Sequence, residues 1–599
     1  MRIPTALTLL LTAAALGAQT SVILVDDFET EVDWESVWLA DLEAMDVTPT
    51  VVAQADVTSA ELAGADAVLW NCGDETEDTL TASDRAVLNA YLDGGGNLLL
   101  VAPGAPSDLR GQGESEWMRS RLGCDYVMPD SPLTWSSIYL GHTVGGLAET
   151  LMEGVRFDLT FGPEADVAAD DLCLINATDR RAENLLSFID MPGCLGVARE
   201  TPTDRTIFLT ASLDSIASSG QRRDVLRRCV EWLTAPRFEG RGIWVVRTQM
   251  TDPDNIDTLV DRCADAGFNT LFVQVRGRGE AYYSSATEPR AEGLADQPET
   301  FDPLQHCLER AHAHGLQVHA WLNAGFTAEA GAPPTDPDHI VNRHPEWVMV
   351  NRSGKSLMDY TPEEFRTQYA EGRFLSLAAP EVQDYLVGVY MEVVENYDVD
   401  GIHFDYIRYC SRGVSPEWDL DYNPLVTRLY ERETGVDPLA LEIDSEPYEA
   451  WLEWQRDRIG EFVGRVRDEA HAARPGIRVS AAVLSRYHLA RIHSLQDWIH
   501  WLQRGQIDTA CLMSYSADNA LVVQEALLAQ ENRGPGTVWV GMGARHDIDL
   551  IQDRIARVRD VVEPEGIMFF AYGGFDEAES GILRHGPFAA PARVPPVAP

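Results

Sequence analysis

One stretch of this chain combines an apolar segment with an acid, a base and two aromatic residues. It reads Asp400-Gly401-Ile402-His403-Phe404-Asp405-Tyr406-Ile407-Arg408-Tyr409. The apolar part predicts a short buried strand, and the polar part follows where that strand ends. In barrels of parallel strands, residues at the carboxyl ends of the strands form the active site. We therefore predict that Asp405 is a catalytic carboxylate, and a purely structural ion pair with Arg408 is the alternative.

A second carboxyl group would be needed for the chemistry that such a site suggests. Glycosidic cleavage uses one carboxyl group to protonate the leaving oxygen and another to attack the sugar or activate water. The predicted ends of strands five and six, 483–485 and 513–515, carry no acid. With Asp405 as the nucleophile or base, the candidates for the acid are Asp518, just past strand six, and Glu280, in the loop after strand two, where it could equally fix its loop. Asp497 is as well explained as an acid in the first turn of a helix.

Substrate contacts are predicted from strand position and aromatic character. His319, Trp321 and Asn323 alternate along strand three and therefore share one face, although packing is an equal explanation for His319. Aromatic rings suit the apolar faces of sugars. The predicted substrate-binding residues are Arg276, His319, Trp321, Asn323, Arg408, Tyr409, Tyr515 and Tyr572. No histidine spacing indicates a metal site, and we expect no metal and no cofactor.

A regular alternation of apolar strands and amphipathic helices surrounds these residues. The predicted strands are 242–247, 270–275, 317–322, 401–405, 477–483, 509–515, 538–542 and 566–572. Eight such units predict a (β/α)8 TIM barrel over residues 239–580, followed by a Pro/Ala-rich tail at 586–599. Two long loops, 324–380 and 410–447, would form the walls of a groove above the active site.

The chain before the barrel has a different pattern. Strands near 21–28, 67–70, 97–101 and 206–210 alternate with helices at 82–92 and 221–233. This alternation predicts a flavodoxin-like parallel α/β domain over residues 21–235. The overall fold class is therefore α/β, with a TIM barrel preceded by a smaller parallel layer.

Composition limits the partners and suggests a location. A formal net charge of −48 opposes binding to nucleic acid or anionic membrane. Met1-Arg2, the apolar run 6–16 and Gly17-Ala18 predict a signal peptide over residues 1–18. No later run is apolar for long enough to span a bilayer. We expect a secreted or periplasmic protein with no membrane insertion after signal removal.

Several separated motifs of the barrel match one known family. They are Arg241-Gly242-Ile243-Trp244-Val245, Phe272-Val273-Gln274-Val275-Arg276, Val318-His319-Ala320-Trp321-Leu322-Asn323, the stretch 400–409, Gln496-Asp497-Trp498 with Trp501, and Gly566-Ile567-Met568-Phe569-Phe570-Ala571-Tyr572. In this order they resemble the glycosyl hydrolase-like 10 family over residues from about 239 to 575. The resemblance implies an exported glycoside hydrolase that acts on a polysaccharide or a peptidoglycan-type glycan.

This chain departs from the pattern of that family in three places. Tyr406 stands where many members have a second aspartate, and Cys410 replaces a proline. Ser376-Leu377 stands where members usually have a polar residue followed by a proline. Together with the missing acids at strands five and six, these departures support an alternative interpretation. In this alternative the barrel is a glycan-binding pseudoenzyme.

The segment before the barrel resembles a second family. The motifs are Leu69-Trp70-Asn71-Cys72-Gly73, Leu80-Thr81 and residues 91–100. They are similar to class I glutamine amidotransferase-like domains, in which a cysteine nucleophile sits on a turn after a strand. The corresponding turn 102–105 has no cysteine. The resemblance therefore implies a non-catalytic accessory domain, with Cys72 and His142 as an alternative catalytic pair.

Overall fold

The chain divides into two compact units, Met1–Pro236 and Arg237–Pro599, in a computed structural model. The structure describes residues 20–26, 34–73, 78–127, 143–159, 173–189, 192–216, 218–367, 370–410 and 419–597. The predicted signal peptide 1–18 and His142 lie outside these residues.

The first unit is built on a mixed sheet. Its described strands are Val22–Asp26, Thr50–Ala53, Ala67–Asn71, Asn97–Val101, Cys124–Tyr126, Thr143–Gly146, Arg156–Asp158, Ile175–Ala177, Ala182–Phe188, Cys194–Glu200 and Arg205–Leu209. Its α-helices are Trp34–Glu43, Ser59–Leu62, Ala82–Asp93, Ala105–Gly111, Ser115–Trp117 and Ser219–Thr234. Five strands pair in parallel, which confirms the predicted parallel layer.

An antiparallel extension of this sheet was not predicted. Cys194–Glu200 pairs antiparallel with Arg205–Leu209, and Ala182–Phe188 pairs antiparallel with Cys194–Glu200. Strands such as Arg156–Asp158 contain only three residues. A segment of that length is too short to carry a readable alternation of apolar and polar residues.

The second unit is a closed parallel barrel, as predicted. In chain order its strands are β1 (Gly240–Val245), β2 (Thr270–Arg276), β3 (Gln317–Asn323), β4 (Gly401–Asp405), β5 (Arg478–Leu484), β6 (Thr509–Met513), β7 (Thr537–Gly543) and β8 (Gly566–Phe570). Strand β8 pairs with β1 and closes the barrel. Each strand is followed by a helix, and these helices are Pro253–Asp265, Pro303–Ala313, Pro380–Asn396, Glu446–Ala473, Trp498–Gln503, Asn519–Asn532, Ile548–Val561 and Glu577–His585.

The sequence starts these helices with recognisable signals. Asp252 and Asp302 accept backbone N–H bonds at the first turns of their helices, and each is followed by proline. An aspartate cap satisfies a free N–H group, and proline tolerates the first helical position because it has none to satisfy. Such caps fix where each loop ends, and therefore where the residues at the ends of the strands lie.

The long loop after β3 contains its own small sheet. Phe326–Glu329 pairs antiparallel with Gly372–Phe374, and we call this pair the β3 hairpin. Short helices, Ile340–Arg343 and Pro362–Thr367, lie between its two strands, and the loop after β4 contains the helix Pro424–Thr434. Loops that follow barrel strands lie on the face where active sites form.

Candidate active site

Asp405 is the last residue of β4 and is 7% exposed. Its Oδ1 accepts the backbone N–H of Tyr406 at 2.6 Å. Burial raises the pKa of Asp405 to about 6, against the opposing effects of Arg408, the Tyr406 N–H and the Trp321 indole. A carboxyl group with such a pKa can exist in both protonation states near neutral pH, which general acid–base catalysis requires.

Two predicted substrate-binding residues lie beside Asp405. Asn323 is directly paired in register with Asp405 across β3 and β4. The Trp321 indole N–H donates to Asn323 Oδ1 at 2.9 Å, and Asn323 Nδ2 donates to the carbonyl of Gly277 at 2.7 Å. These bonds orient the indole and the amide, so the end of β3 presents a fixed polar edge next to the carboxyl group of Asp405.

A carboxylate that the sequence analysis missed lies near Asp405. Glu371 immediately precedes the second strand of the β3 hairpin, and its negative charge contributes to raising the pKa of Asp405. Its Oε1 accepts a bond from Arg408 Nη2 at 2.7 Å. Its Oε2 is buried and has no hydrogen-bond partner among the described residues. Glu371 is therefore held in place at one oxygen only.

Arg408 connects the two carboxyl groups electrostatically. Its side chain is 8% exposed and forms an ion pair with Glu371. Its positive charge opposes the burial effect on Asp405. Because one guanidinium acts on both acids, the two carboxyl groups belong to a single electrostatic unit.

Aromatic packing fixes the β3 hairpin against the end of β4. Tyr406 stacks on Phe326 with ring centroids 4.8 Å apart, and Phe374 packs edge-on against Tyr406 at 5.8 Å. Ala324 N–H donates to the carbonyl of Asp405 at 2.7 Å. Tyr406 has a φ angle of 46°, which is unusual for a residue with a side chain and is found at functional sites. These contacts position Glu371 relative to Asp405.

Gly372 is required by this arrangement. An added Cβ would lie 2.1 Å from the carbonyl oxygen of Ala328, which is part of the facing strand. The residue after Glu371 must therefore be glycine for the hairpin to pair this closely. An acid followed by this glycine was the available signal for Glu371, but the surrounding loop has no strand pattern long enough to place it near β4.

The two acids predicted as partners of Asp405 have other contacts. Asp518 is exposed and caps the helix Asn519–Asn532, because its Oδ1 accepts the N–H groups of Ala520 and Leu521. Glu280 accepts bonds from Arg278 and from the backbone N–H of Glu292. Both carboxylates therefore have structural roles, and a catalytic role for either remains a prediction.

Three predicted substrate-binding residues are enclosed by protein. Arg276 is 0% exposed and pairs with Glu288, while Tyr409 donates to Asp421 Oδ2 at 2.6 Å. His319 lies inside the barrel between the rings of Phe272 and Trp539. Burial lowers the pKa of His319 well below its usual value. The candidate site therefore omits these three residues.

The remaining two predicted aromatics lie near the ends of β6 and β8. Tyr515 stacks on Phe570 with ring centroids 5.4 Å apart. Burial, and after it the charge of Asp405, raises the pKa of Tyr515. Phe570 is 39% exposed, so this stack offers an accessible ring. Tyr572 instead lies beside Arg262, whose guanidinium carbon is 5.8 Å from the ring centroid. Substrate contact by Tyr515 stays a prediction, and Tyr572 packs against the helix Pro253–Asp265.

A second buried histidine supports the floor of the site. His403 Nε2 accepts the indole N–H of Trp244 at 3.0 Å, so its own proton lies on Nδ1 and faces Ser480 Oγ at 2.9 Å. Burial lowers the pKa of His403 to about 3, which keeps the ring neutral. This neutral, fully bonded histidine lies two residues before Asp405 and fixes the interior of β4.

The described part of the chain contains neither a metal-binding cluster nor a membrane-spanning helix. Within it, no group of three or more His, Cys, Asp or Glu residues is arranged to hold a metal ion. Among the same residues, none of the helices combines the length and apolar character needed to cross a membrane.

Comparison with known families supports the barrel's relationship to glycan enzymes. The family described as Glycosyl hydrolase-like 10 matches residues 239–533. Glycosyl hydrolase YngK of Bacillus subtilis (strain 168) is 24% identical over 270 residues, which is 42% of this chain and 46% of YngK. Glycosyl hydrolase DigH of Escherichia coli (strain K12) is 26% identical over 289 residues, which is 44% of this chain and 57% of DigH. The chain thus spans about half the length of these curated relatives.

Solved structures with barrels of this type are also similar. α-L-Fucosidase isoenzyme 2 from Paenibacillus thiaminolyticus has a TM-score of 0.42 at 17% identity, covering 59% of this chain and 49% of the fucosidase. The catalytic domain of β-amylase from Paenibacillus polymyxa has a TM-score of 0.41 at 11% identity, covering 58% of this chain and 98% of that domain. Likeness at this level carries no information about substrate.

Proposed function

We propose that this protein is an exported glycoside hydrolase that cleaves O-glycosidic bonds of a polysaccharide or a peptidoglycan-type glycan. The observation that carries the proposal is that two carboxyl groups, those of Asp405 and Glu371, lie close to the guanidinium of Arg408. Arg408 donates a hydrogen bond to Glu371, and the charges of both residues affect the pKa of Asp405. Two carboxyl groups of unlike environment are the minimum equipment for glycosidic hydrolysis. The match of the barrel to a glycosyl hydrolase-like family supports the same class.

The two carboxyl groups receive different roles from their surroundings. Asp405 is buried, and a pKa of about 6 lets it hold a proton that it can donate to the leaving glycosidic oxygen. Glu371 accepts a charge-assisted bond from Arg408 and is 34% exposed at its side chain. We assign Glu371 as the carboxylate that attacks the sugar or activates water. Tyr515 with Phe570, which is 39% exposed, then forms the adjacent sugar-contacting surface, and the buried Trp321 and Asn323 lie beside Asp405.

The test is turnover by single variants on a panel of polysaccharides and peptidoglycan strands, with products identified by mass spectrometry. Asp405→Asn keeps the shape of the side chain but removes the transferable proton, so we expect activity to fall about a thousandfold. Asp518→Asn, in the exposed cap, is the matched control and should retain activity. Full turnover by Asp405→Asn would rule out the assignment.

A glycan-binding pseudoenzyme is the second candidate, and the departures at Tyr406 and Cys410 favour it. Under this candidate the unaltered protein binds glycans from the panel but releases no products. The accessory, glutamine amidotransferase-like role of the first unit and the export of the chain are further parts of the proposal.

A further inference from the structure

A pair of arginines shares one exposed carboxylate at the edge of the candidate site. Arg247 Nη2 donates to Glu329 Oε1 at 3.3 Å, and Arg278 Nη1 donates to the same oxygen at 3.4 Å. Both distances are at the long end of the range for hydrogen bonds between nitrogen and oxygen. The Glu329 side chain is 58% exposed, against 21% for Arg247 and 30% for Arg278. The carboxylate is therefore the least enclosed and most weakly held member of the group.

Hydrogen bonds connect this group to Asn323, the strand neighbour of Asp405. Gln274 Oε1 accepts from Arg247 Nη1 at 3.3 Å, and Gln274 Nε2 donates to Asn323 Oδ1 at 3.4 Å. Asn323 in turn is paired in register with Asp405. The positive charge of Arg247 also opposes the burial effect on Tyr406, the neighbour of Asp405. Arg247 therefore lies close to the proposed reaction centre.

Local geometry holds Arg247 in this position. An added Cβ on Gly277 would lie 2.5 Å from Arg247 Cδ, so the arginine lies directly against the glycine backbone. On the other side, Glu329 ends the first strand of the β3 hairpin and is paired in register with Gly372. Because Glu371 precedes Gly372, the same end of the β3 hairpin carries both Glu329 and Glu371.

We propose that Arg247 and Arg278 form a subsite for a carboxylate carried by the glycan, and that Glu329 occupies this subsite until the substrate displaces it. The inference rests on the proposed function and names its substrate class as a carboxylate-bearing glycan. Guanidinium groups match planar carboxylates. Nε and Nη2 of Arg278 donate to Glu280, so the donors that a substrate carboxylate would take over from Glu329 are Arg247 Nη2 and Arg278 Nη1. A substrate carboxylate that reaches both arginines replaces two long bonds to Glu329 with bonds of its own.

The net charge of the chain makes short-range recognition necessary. At −48 the protein repels an anionic polymer at long range. At physiological ionic strength this repulsion is screened beyond roughly 8 Å, whereas direct contacts with arginine are not. A built-in carboxylate also prevents the arginine pair from binding unrelated anions when no glycan is present.

The decisive measurement is glycan binding by calorimetry in an Asp405→Asn background, which does not depend on turnover. The probes are polygalacturonate, hyaluronan and peptide-free bacterial glycan strands, each in native form and with its carboxyl groups reduced to alcohols. We expect at least one native polymer to bind about tenfold more tightly than its reduced form, a difference typical of one or two charge-assisted bonds.

Two variants then test the displaced carboxylate. Glu329→Gln should tighten binding of that native polymer by about fivefold, and Arg247→Gln should weaken it by about tenfold, with Arg247→Lys in between. Binding of the reduced polymer should change less than twofold in each variant. The subsite is wrong if no native polymer is preferred over its reduced form, or if Glu329→Gln weakens binding. Failure of the proposed hydrolase would appear separately, either as no products from the unaltered protein or as full turnover by Asp405→Asn.

Discussion

Two arginine–carboxylate pairs lie near the ends of barrel strands, and they differ in how fully the carboxylate oxygens are hydrogen-bonded. Arg276 ends β2, and both its side chain and that of Glu288 are 0% exposed. Its Nε donates to both oxygens of Glu288 at 2.8 Å, and Tyr385 donates to Glu288 Oε1 at 2.9 Å. Arg408, close after β4, makes one bond to Glu371, whose Oε2 has no hydrogen-bond partner in the described part of the chain.

This difference separates a structural pair from a functional one. A fully bonded buried pair has no remaining capacity to bind a substrate, and removing one member leaves an uncompensated charge. An incompletely bonded carboxylate such as that of Glu371 retains an oxygen, here the buried Oε2, that can still accept a hydrogen bond. Burial and charge alone would rank Arg276 and Glu288 as the better active site, so the number of unsatisfied polar atoms is the more informative quantity here.

The largest expected contrast comes from neutralising each carboxylate. Glu371→Gln should lower kcat by about a thousandfold, because the side chain can no longer attack or activate water. It should lower the free energy of unfolding by about 1 to 3 kcal/mol, because buried Arg408 loses a charged partner that is itself 34% exposed. Glu288→Gln should lower the free energy of unfolding by about 3 to 5 kcal/mol, since Arg276 keeps a buried charge without its partner. Turnover and chemical denaturation, measured on both variants, test the contrast.

The comparison would break if the two outcomes were exchanged. Glu288→Gln protein that remains folded should retain most of its turnover, because its carboxylate is enclosed away from the mouth. A folded Glu288→Gln protein without activity, together with an active Glu371→Gln protein, would assign the chemistry to the buried pair.

A smaller effect is expected from the pH dependence of Asp405. Its pKa is raised to about 6 by burial, so the folded state binds a proton more strongly than the unfolded chain does. The proton-donating form is lost as pH rises through about 6, and kcat should fall about tenfold for each pH unit above that value. Initial rates between pH 4 and pH 8 measure this limb, which should be absent from the residual activity of Asp405→Asn.

The same pKa has a consequence for stability. A raised pKa means that stability falls as pH rises between about 4 and about 6, because the folded state binds more protons there. Above that window the ionised carboxylate costs up to about 3 kcal/mol. Asp405→Asn should therefore stabilise the protein at pH 8 and leave it nearly unchanged at pH 4. Equal effects at both values would show that burial does not control this carboxyl group.

The barrel could be predicted because each strand carries a local signal. The stretch 401–405 matches β4 at both ends, and it places Asp405 at the functional face. The alternation of strands and helices then determines the closed parallel arrangement. Asp405, Trp321 and Asn323 follow from strand order alone, because their positions depend only on where β3 and β4 end.

Glu371 could not be predicted in the same way. Its position depends on the β3 hairpin, whose two strands are separated by about forty residues of loop, and on contacts of Tyr406 with Phe326 and Phe374. These are tertiary contacts without a sequence period. For Arg276 the position could be predicted but the contact could not. It lies at the end of β2 as expected, whereas its partner Glu288 lies in the following loop.

Asp518 supplies the smallest expected effect and completes the comparison with a third kind of carboxylate. It is exposed, and its Oδ1 accepts the N–H groups of Ala520 and Leu521 at 2.9 and 3.4 Å at the start of the helix Asn519–Asn532. Asp518→Ala should lower the free energy of unfolding by about 1 kcal/mol, and Asp518→Ser should restore most of it. Neither change should alter kcat by more than about twofold, since the cap positions a helix and holds no proton for the substrate. If kcat falls a hundredfold in Asp518→Ala and is not recovered in Asp518→Ser, then Asp518 belongs with Asp405 in the reaction, and an unbonded oxygen is not required for a carboxylate to be functional here.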